Sequence, residues 1–531
     1  MTLTRFSSVY DAFAAQAKAT PLRPLLNVLP GTASVYGIDA GEITYGAALS
    51  DVDARAQRFE DLGYMAGMRV ALLLENRPSY FLTWLALNKL GLSVVPINPD
   101  LRKSELSYLF SHAEPVLAIT TPQRLADLTA SAGTVPVVCE NTALPHPGPA
   151  GSVARSLEGN AREAAVLYTS GTTGNPKGCV LPNAYFQIAG DWYRGLGGIV
   201  SLRDEGERMI TTLPVFHMNA MAASFMGMLS VGGCLTVLDR FHPGTWWDDV
   251  RTSRATCLHY LGVMPSILMK APEGASDRDH CVRFGFGAGI DPKLHAPFED
   301  RFGFPLCEGW AMTETGLAVH LTNNTDDRLV GASCLGKPTP DVAIKILPEA
   351  SDHEGELLVR RTGDAPRLGF FSEYYKDPEA TEKAWDGGWF HTGDLVRRDD
   401  QGRMFFVDRK KNVIRRSGEN IAAVEVESVL MKHPDVLAAG VAAVPDALRG
   451  DEVFACLRVD EPSAELAYSI AEWALDQMAY YKVPGYIAFV PELPLTATQK
   501  IQRKLLKELA LTRVDDPTTI TLTHLKKRQV A

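Results

Sequence analysis

The stretch YTSGTTGNPKG, residues 168–178, directly follows the apolar run AAVL at 164–167, and it guides the interpretation of the whole chain. Three glycines and four serine or threonine hydroxyls fall within its eleven positions. Glycine lets the backbone come close to a ligand, hydroxyl and amide groups donate hydrogen bonds to oxygen anions, and Lys177 adds a positive charge. The spacing differs from GxxxxGK[ST], so the stretch is not a Walker A loop. A plain surface loop is the alternative, but a lysine beside Pro176, just after a strand, favours phosphate binding.

Helix-type and strand-type patterns alternate on both sides of this stretch. Residues 50–62 have helical periodicity, 70–74 form a short apolar strand, 79–91 read as an amphipathic helix ended by Gly91, and 92–98 form the next strand. The same rhythm returns in VLAITT, VPVVC and CLTVLD. Such alternation predicts a parallel sheet covered by helices on both faces.

The pattern changes twice towards the C-terminus. From about Gly336, the runs VAIKIL, GELLVR and MFFVDR alternate as strands, which predicts a smaller β-rich piece. After Asp408, helices and strands predict a compact α+β unit, and the charged run DRKK at 408–411 precedes it. The predicted fold class is α/β. A large N-terminal domain of helix-covered sheets with a β-rich subdomain spans 1–408, and a hinge joins it to a small α+β domain at 409–531.

Composition limits the classes of function. The 531 residues are 46% hydrophobic and 22% charged, with a formal net charge of −10, which is typical of a globular protein and argues against a general nucleic-acid binder. The eight cysteines include no CxxC pair, so we expect reduced thiols in the cytoplasm. The apolar run 218–238 is cut by Gly232 and Gly233 and reads as a buried helix, a turn and a strand. We therefore expect no stable membrane insertion, and the N-terminus does not have the pattern of a signal peptide.

The stretch at 168–178 resembles the phosphate loop of the adenylate-forming superfamily, which includes acyl-CoA synthetases, firefly luciferase and the adenylation domains of peptide synthetases. Further segments follow in the family's order, so the resemblance covers nearly the whole chain. GWAMTE at 309–314 resembles the segment that faces adenine and magnesium, with Trp310 and Ala311 where Tyr and Gly are usual. FGFGAG at 284–289 resembles the small-residue stretch between adenine and acyl group, and PVFH at 214–217 resembles the segment whose histidine lies beside the acyl site.

Later segments extend the resemblance. GWFHTGD at 388–394 resembles the segment with the ribose-binding aspartate, and RRSGEN at 415–420 resembles the loop that lines the pantetheine tunnel. PLTATQKI at 494–501 resembles the segment with the catalytic lysine, with Gln499 where Gly is usual. The resemblance implies that a carboxylate attacks the α-phosphate of ATP, and that the C-terminal domain then rotates about Lys411 for attack by a thiol.

The resemblance implies a set of site residues. Catalysis is assigned to Lys500, Thr313, Glu314 and His217, with Glu314 as the Mg²⁺ ligand and Lys411 as the hinge. The implied nucleotide-binding residues are Thr169, Ser170, Gly171, Thr172, Thr173, Gly174, Lys177, Gly287, Ala288, Gly289, Trp310, Ala311, Met312, Asp394 and Arg409. The implied CoA-binding residues are Arg415, Ser417, Gly418 and Glu419. Candidates for the acyl pocket are His217, Met218, Asn219, His259, Met264, Gly289 and Ala311.

The implied activity is that of an ATP-dependent acyl-CoA synthetase that uses ATP, Mg²⁺, coenzyme A and a small carboxylic acid. Alternatives are an adenylating enzyme that loads a carrier protein, a luciferase-like oxidase, a nucleotide-binding protein without catalysis, and an ordinary phosphotransferase. The short stretch after Lys500 leaves no room for a carrier domain, which favours the CoA ligase. Histidine and asparagine among the pocket candidates indicate a short or polar acid. YKVP at 481–484 and FHMNA at 216–220 resemble carnitine- or crotonobetaine-type CoA ligases and their medium-chain or aryl relatives. The oligomeric state is open, with a homodimer among the options.

Overall fold

The computed structural model describes residues 1–148, 158–169, 176–325, 328–351, 353–409, 413–494 and 501–527, with the backbone alone at 349–351, 408 and 409. The chain forms two compact units. Unit 1 comprises Met1–Pro99, His112–Leu167 and Gly178–Asp408, and unit 2 comprises Asp100–Ser111, Tyr168–Lys177 and Arg409–Ala531. Two segments from the first third of the chain thus cluster with the C-terminal residues. The domain limits 1–408 and 409–531 stay a prediction.

The α-helices of the described residues are α1 Val9–Ala19, α2 Pro30–Tyr36, α3 Tyr45–Asp61, α4 Pro78–Lys89, α5 Lys103–Ala113, α6 Leu125–Ser131, α7 Asn183–Gly195, α8 Met226–Val231, α9 Trp246–Ser253, α10 Val263–Leu268, α11 Pro292–Phe302, α12 Pro378–Ala384, α13 Ala423–Leu430, α14 Ala464–Gln477 and α15 Arg503–Arg513. A π-helix, Asn219–Phe225, leads directly into α8.

The strands of the described residues are β1 Pro24–Val28, β2 Gly41–Thr44, β3 Arg69–Leu73, β4 Ser93–Pro96, β5 Leu117–Thr120, β6 Val137–Cys139, β7 Glu163–Thr169, β8 Lys177–Pro182, β9 Arg208–Thr211, β10 Cys234–Val237, β11 Cys257–Leu261, β12 Phe284–Ala288, β13 Leu306–Met312, β14 Gly316–Thr322, β15 Cys334–Gly336, β16 Val342–Ser351, β17 Glu354–Arg361, β18 Glu373–Tyr374, β19 Phe390–Arg398, β20 Met404–Arg409, β21 Val413–Arg416, β22 Glu419–Ala422, β23 Ala438–Asp446, β24 Gly450–Arg458, β25 Tyr486–Phe489 and β26 Ile520–Thr521.

These strands form four sheets within the described residues. One has the order β14-β13-β12-β11-β9-β10-β1-β2, and another has the order β18-β8-β7-β4-β3-β5-β6. The third, β15-β20-β19-β17-β16, is the β-rich piece predicted from Gly336 onward. The fourth, in unit 2, has the order β22-β21-β24-β25-β26, with β23 paired to β24. In the first sheet, β10, β9, β11, β12 and β13 run parallel, which confirms the predicted parallel, helix-covered sheets.

Local signals explain where the helices near these sheets begin and end. Thr44 caps α3, because its side chain accepts a hydrogen bond from the backbone N–H of Ala47. α4 begins at Pro78, and the chain reverses after it at Gly91, where φ is +76°. Aromatic rings fill the core between α4, α7 and the π-helix, with the centroids of Phe81 and Phe225 only 4.6 Å apart.

Two segments differ from the sequence-based expectation. The helix predicted over 218–231 is present, but its first half is the π-helix, in which the Ser224 hydroxyl donates to the carbonyl oxygen of Asn219. The segment 415–420, expected as a loop, is a hairpin of β21 and β22 with Ser417 and Gly418 at positive φ. The apolar run is buried as predicted, and no helix in the described ranges has the length and hydropathy needed to cross a bilayer.

Candidate active site

The carboxyl ends of four parallel strands, β9, β11, β12 and β13, form one edge of the first sheet. The chain is partly or fully exposed at the ends of β11, β12 and β13, at residues 261–263, 287–289 and 311–313, and again at 217–219, six to eight residues after β9 ends at Thr211. Ligands of open parallel sheets bind at this edge, because loops diverge there and leave a crevice. Six of the predicted site residues therefore share this edge, namely Gly287, Ala288, Gly289, Ala311, Met312 and Thr313, while His217, Met218 and Asn219 lie on the segment that follows β9.

The glycines at this edge allow neighbouring backbones to pack closely. A Cβ atom at Gly287 would lie 2.2 Å from the carbonyl oxygen of Tyr260, and one at Gly262 would lie 1.6 Å from that of Gly289. Gly289 itself has φ of +77°, and its N–H donates to the Glu308 carboxylate at 3.1 Å. The small-residue stretch was predicted to accommodate a flat ligand. Its glycines are needed in the first place because adjacent backbone segments leave no room for a Cβ atom.

The predicted adenine residue Trp310 and the predicted ribose residue Asp394 are hydrogen-bonded to each other. The indole Nε1–H of Trp310 donates to Oδ2 of Asp394 at 2.7 Å, and both side chains are buried. Asp394 lies on β19, where the Thr392 hydroxyl accepts its backbone N–H and Glu356 accepts that of Gly393. A charged acceptor shortens and strengthens such a bond, so Trp310 fixes the orientation of the carboxylate.

The predicted magnesium ligand has a fixed orientation as well. Glu314 is buried, and the Tyr374 hydroxyl donates to its Oε1 at 2.8 Å. Burial and the charge of Glu314 raise the pKa of Tyr374 well above its usual range, so the hydroxyl keeps its proton and remains a donor. β18 places Tyr374 opposite Cys179 on β8, the strand that begins at Lys177 near the end of the predicted phosphate loop.

The backbone next to Glu314 is held at two further points. The carbonyl of Glu314 accepts the N–H of Phe371, and the carbonyl of Thr313 accepts the Tyr185 hydroxyl at 2.9 Å. The sequence did not predict Tyr185 or Tyr374 as site residues. Each contacts its partner only because the fold brings them together, and neither belongs to a recognisable motif.

The donor set at Glu314 is suited to magnesium. Across the described ranges, no three His, Cys, Asp or Glu side chains group as a metal cage. Mg²⁺ is usually held by one or two carboxylates together with water and substrate phosphates. A single oriented carboxylate, with water and substrate phosphates as the remaining ligands, fits that type of binding.

Two predicted acyl-pocket residues are buried. His259 is 1% exposed and Met264 is 3% exposed. The Nε2 of His259 is 3.0 Å from the Tyr193 hydroxyl, and its Nδ1 is 2.7 Å from the Ser224 hydroxyl. Burial lowers the pKa of His259 to about 3, so its imidazole is neutral at neutral pH.

Unit 2 contains the predicted CoA residues on its β21–β22 hairpin. Arg415 faces Asn420 across the hairpin, and its backbone N–H donates to Asp451 at 2.9 Å. Its side chain and that of Ser417 are exposed, while Gly418 and Glu419 are partly exposed. The hairpin thus presents polar groups to solvent, as a binding segment requires.

Several predicted residues lie outside the described part of the chain. Thr169 and Lys177 flank the gap in the phosphate loop, and Arg409 is described only by its backbone. The predicted residues outside the described ranges are Ser170, Gly171, Thr172, Thr173, Gly174, Lys411 and Lys500.

Comparisons with known proteins agree with this arrangement. The family model "AMP-binding enzyme" matches residues 13–374, and the model "AMP-binding enzyme C-terminal domain" matches residues 425–500. The crotonobetaine/carnitine–CoA ligase of Salmonella heidelberg (strain SL476) is 29% identical over 496 residues, which covers 88% of this chain and 93% of that protein.

Solved structures share the fold. The o-succinylbenzoate CoA synthetase of Bacillus subtilis superposes with a TM-score of 0.80 at 22% identity, covering 94% of this chain and 98% of that one. The amide bond synthetase of Marinactinospora thermotolerans superposes with a TM-score of 0.78 at 23% identity, covering 94% of this chain and 99% of that one.

Proposed function

The chain belongs to the AMP-binding enzyme family, and on this premise we propose that it is an AMP-forming acyl-CoA synthetase. The observation that carries the proposal is the shared edge at the carboxyl ends of β9, β11, β12 and β13. There the adenine-facing strand delivers Trp310, bonded to Asp394, and continues to the oriented carboxylate of Glu314. Acid, nucleotide and metal could meet at one edge of one sheet.

The first half-reaction activates the acid. A carboxylate oxygen attacks the α-phosphorus of ATP, the bond to the β,γ-diphosphate breaks, and pyrophosphate leaves with an acyl-adenylate as product. Negative charge grows on the α-phosphoryl oxygens, so donors and cations already in place provide the catalysis. We assign Lys500 to the carboxylate and α-phosphate, and Thr313 to the α-phosphate. The phosphate loop from Thr169 to Lys177 holds the other phosphates.

The second half-reaction transfers the acyl group. The CoA thiol loses its proton and attacks the acyl carbon, and AMP leaves as the bond to its phosphate oxygen breaks. We assign Arg415, Ser417, Gly418 and Glu419 to CoA, with Lys411 as the pivot that presents their hairpin. The hairpin's exposed polar groups support this assignment.

The acid and the compartment belong to the same proposal. Carnitine and crotonobetaine, named in the relatives, belong in the first substrate panel together with short aliphatic and aryl acids. We place the enzyme in the cytoplasm, since no disulfide joins its eight cysteines, all of which lie in the described ranges.

The test mixes purified protein, ATP and Mg²⁺ with a panel of carboxylic acids, with and without CoA, and quantifies AMP, ADP, pyrophosphate and thioester. AMP, pyrophosphate and thioester formed only with CoA and one class of acid would support the proposal. Acid-dependent pyrophosphate exchange without thioester would indicate another acceptor, such as a carrier protein. ADP as product, or no turnover with any acid, would refute the proposal.

A second experiment separates the two half-reactions. Lys500→Ala should abolish formation of the acyl-adenylate but spare thioester formation from a supplied acyl-adenylate. Equal loss of both activities would contradict the role assigned to Lys500.

A further inference from the structure

The π-helix connects the crevice to a buried hydrogen-bonded cluster. It begins at Asn219, which is partly exposed beside His217 at the crevice, and every later residue in it is buried. Its residue Ser224 lies against His259 on β11, within 2.7 Å of the imidazole. A π-turn contains an extra residue relative to an α-turn, and such insertions occur frequently at functional sites.

The cluster lies close to the carboxyl end of β11. His259 is two residues before Leu261, the last residue of β11, which corresponds to about 6.6 Å of strand. On the neighbouring strand, Phe286 is paired with His259, and Ala288 is paired with Leu261. Side chains two apart on a strand share a face, so Leu261 at the strand end lies on the same face as His259, the face that contacts Tyr193 of α7 and Ser224 of the π-helix.

The cluster is buried, and aromatic rings and hydrogen bonds surround it. Tyr193, Ser224 and His259 are each no more than 1% exposed. The ring of Phe286 lies 5.6 Å from that of Tyr193 and 5.8 Å from that of His259. Both imidazole nitrogens are engaged, one with each hydroxyl. Displacing the imidazole would leave two buried hydroxyls without this partner, which is strongly unfavourable in a water-free environment.

We propose that Tyr193, Ser224 and His259 form a barrier that ends the acyl pocket and restricts this enzyme to short carboxylic acids. The inference rests on the proposed acyl-CoA synthetase function. An acyl chain that enters between the π-helix and β11 meets the His259 imidazole after about two strand residues. A longer chain has to disrupt both hydrogen bonds of the barrier. Chain-length selectivity is thus assigned to residues that lie below the crevice surface.

The test compares chain-length profiles of the wild type and His259→Ala. The value of kcat/KM for CoA thioester formation is measured with butyrate, hexanoate and decanoate. The wild type should prefer butyrate, and His259→Ala should raise the decanoate-to-butyrate ratio by at least about tenfold, the lower end of what a pocket achieves per methylene. Both acids are measured on the same preparation, so the fraction of folded enzyme cancels from the ratio.

A second buried histidine gives a matched control. His295 is 3% exposed, and its Nε2 is 2.9 Å from the carbonyl oxygen of Leu306, in a separate part of the core of unit 1. His295→Ala should leave the decanoate-to-butyrate ratio unchanged. If His259→Ala is insoluble, His259→Asn, which is smaller than His and retains a polar group towards Ser224, should shift the ratio in the same direction by less.

The outcomes distinguish the barrier from the proposed function. Absence of thioester with every acid refutes the function itself. Wild-type activity on butyrate with an unchanged ratio in folded His259 variants refutes the barrier alone. Equal wild-type efficiency with butyrate and decanoate also refutes the barrier.

Discussion

Tyr374→Phe is the sharpest test of the proposed role of Glu314 as a magnesium ligand. The substitution removes one hydroxyl that donates to the buried carboxylate of Glu314 at 2.8 Å, and it leaves the ring in place. A hydrogen bond to a charged group contributes about 1.5–3 kcal/mol. Loss of a group that orients a metal ligand lowers metal affinity by about 10–100-fold. At about 1.4 kcal/mol per tenfold, the two ranges agree.

The assay is acid-dependent pyrophosphate release at saturating ATP, titrated with Mg²⁺. We expect the Mg²⁺ midpoint of Tyr374→Phe to rise by about tenfold or more, while activity at saturating Mg²⁺ recovers most of the wild-type value. The adjacent Tyr375 provides the control, since its hydroxyl donates to Glu114 at 3.1 Å and makes no described contact with Glu314. Tyr375→Phe should leave the Mg²⁺ midpoint unchanged.

A purely structural role for Tyr374 predicts a different result. Urea unfolding would then show reduced stability, and maximal activity would fall at every Mg²⁺ concentration without a shift of the midpoint. An unchanged midpoint in folded Tyr374→Phe would refute the positioning of Glu314 by this hydroxyl.

Three further predictions concern other parts of the chain. Gly262→Ala should abolish activity, because the new Cβ would lie 1.6 Å from the carbonyl oxygen of Gly289. Gly244→Ala is the control and should retain activity, because no atom lies within 4 Å of its Cβ. Equal activities of the two variants would contradict this prediction. Lys482→Met should lower the free energy of unfolding by about 3–5 kcal/mol in urea titrations, because it leaves the buried carboxylate of Glu425 and the partly buried one of Glu105 without this cation; a loss below about 1 kcal/mol would contradict this. Burial lowers the pKa of His320 from 6.5 to about 3, so its folded form resists protonation and stability is lost as the pH falls below 6.5. That loss reaches about 2 kcal/mol near pH 5. The urea midpoint of the wild type should therefore fall more between pH 7 and pH 5 than that of His320→Gln, which lacks the imidazole. The same fall in both proteins would refute this role of His320.

Sequence periodicity predicted the regular elements well, because their burial patterns are local. The strand predicted at 70–74 is β3, and the helix predicted at 79–91 is α4, which ends two residues before Gly91. The π-helix escaped prediction because its extra residue depends on packing: Ser224 meets His259, which lies 35 residues further along the chain. A helical period of 3.6 residues does not reveal such an insertion.

The sequence predicted which segments form the site and their order along the chain. It did not predict which side chains contact each other. The motif around Glu314 was recognisable, but its partner Tyr374 is 60 residues away and reaches it through the pairing of β18 with β8. His259 was expected in the acyl pocket from its residue type. Its two hydrogen bonds and complete burial follow from the position of α7 and the π-helix, which a single segment does not specify.

Trp310 and Asp394 show why such contacts matter for function. They are 84 residues apart and belong to different sheets, yet the indole N–H reaches the carboxylate at 2.7 Å. A tyrosine, the usual residue at position 310, carries its donor at the end of the ring and would place it elsewhere. The indole N–H donates to a buried charged acceptor, so the tryptophan stabilises Asp394 and helps to orient its carboxylate. This hydrogen bond therefore couples the proposed adenine and ribose contacts. A substitution at position 310 should weaken the binding of both adenine and ribose.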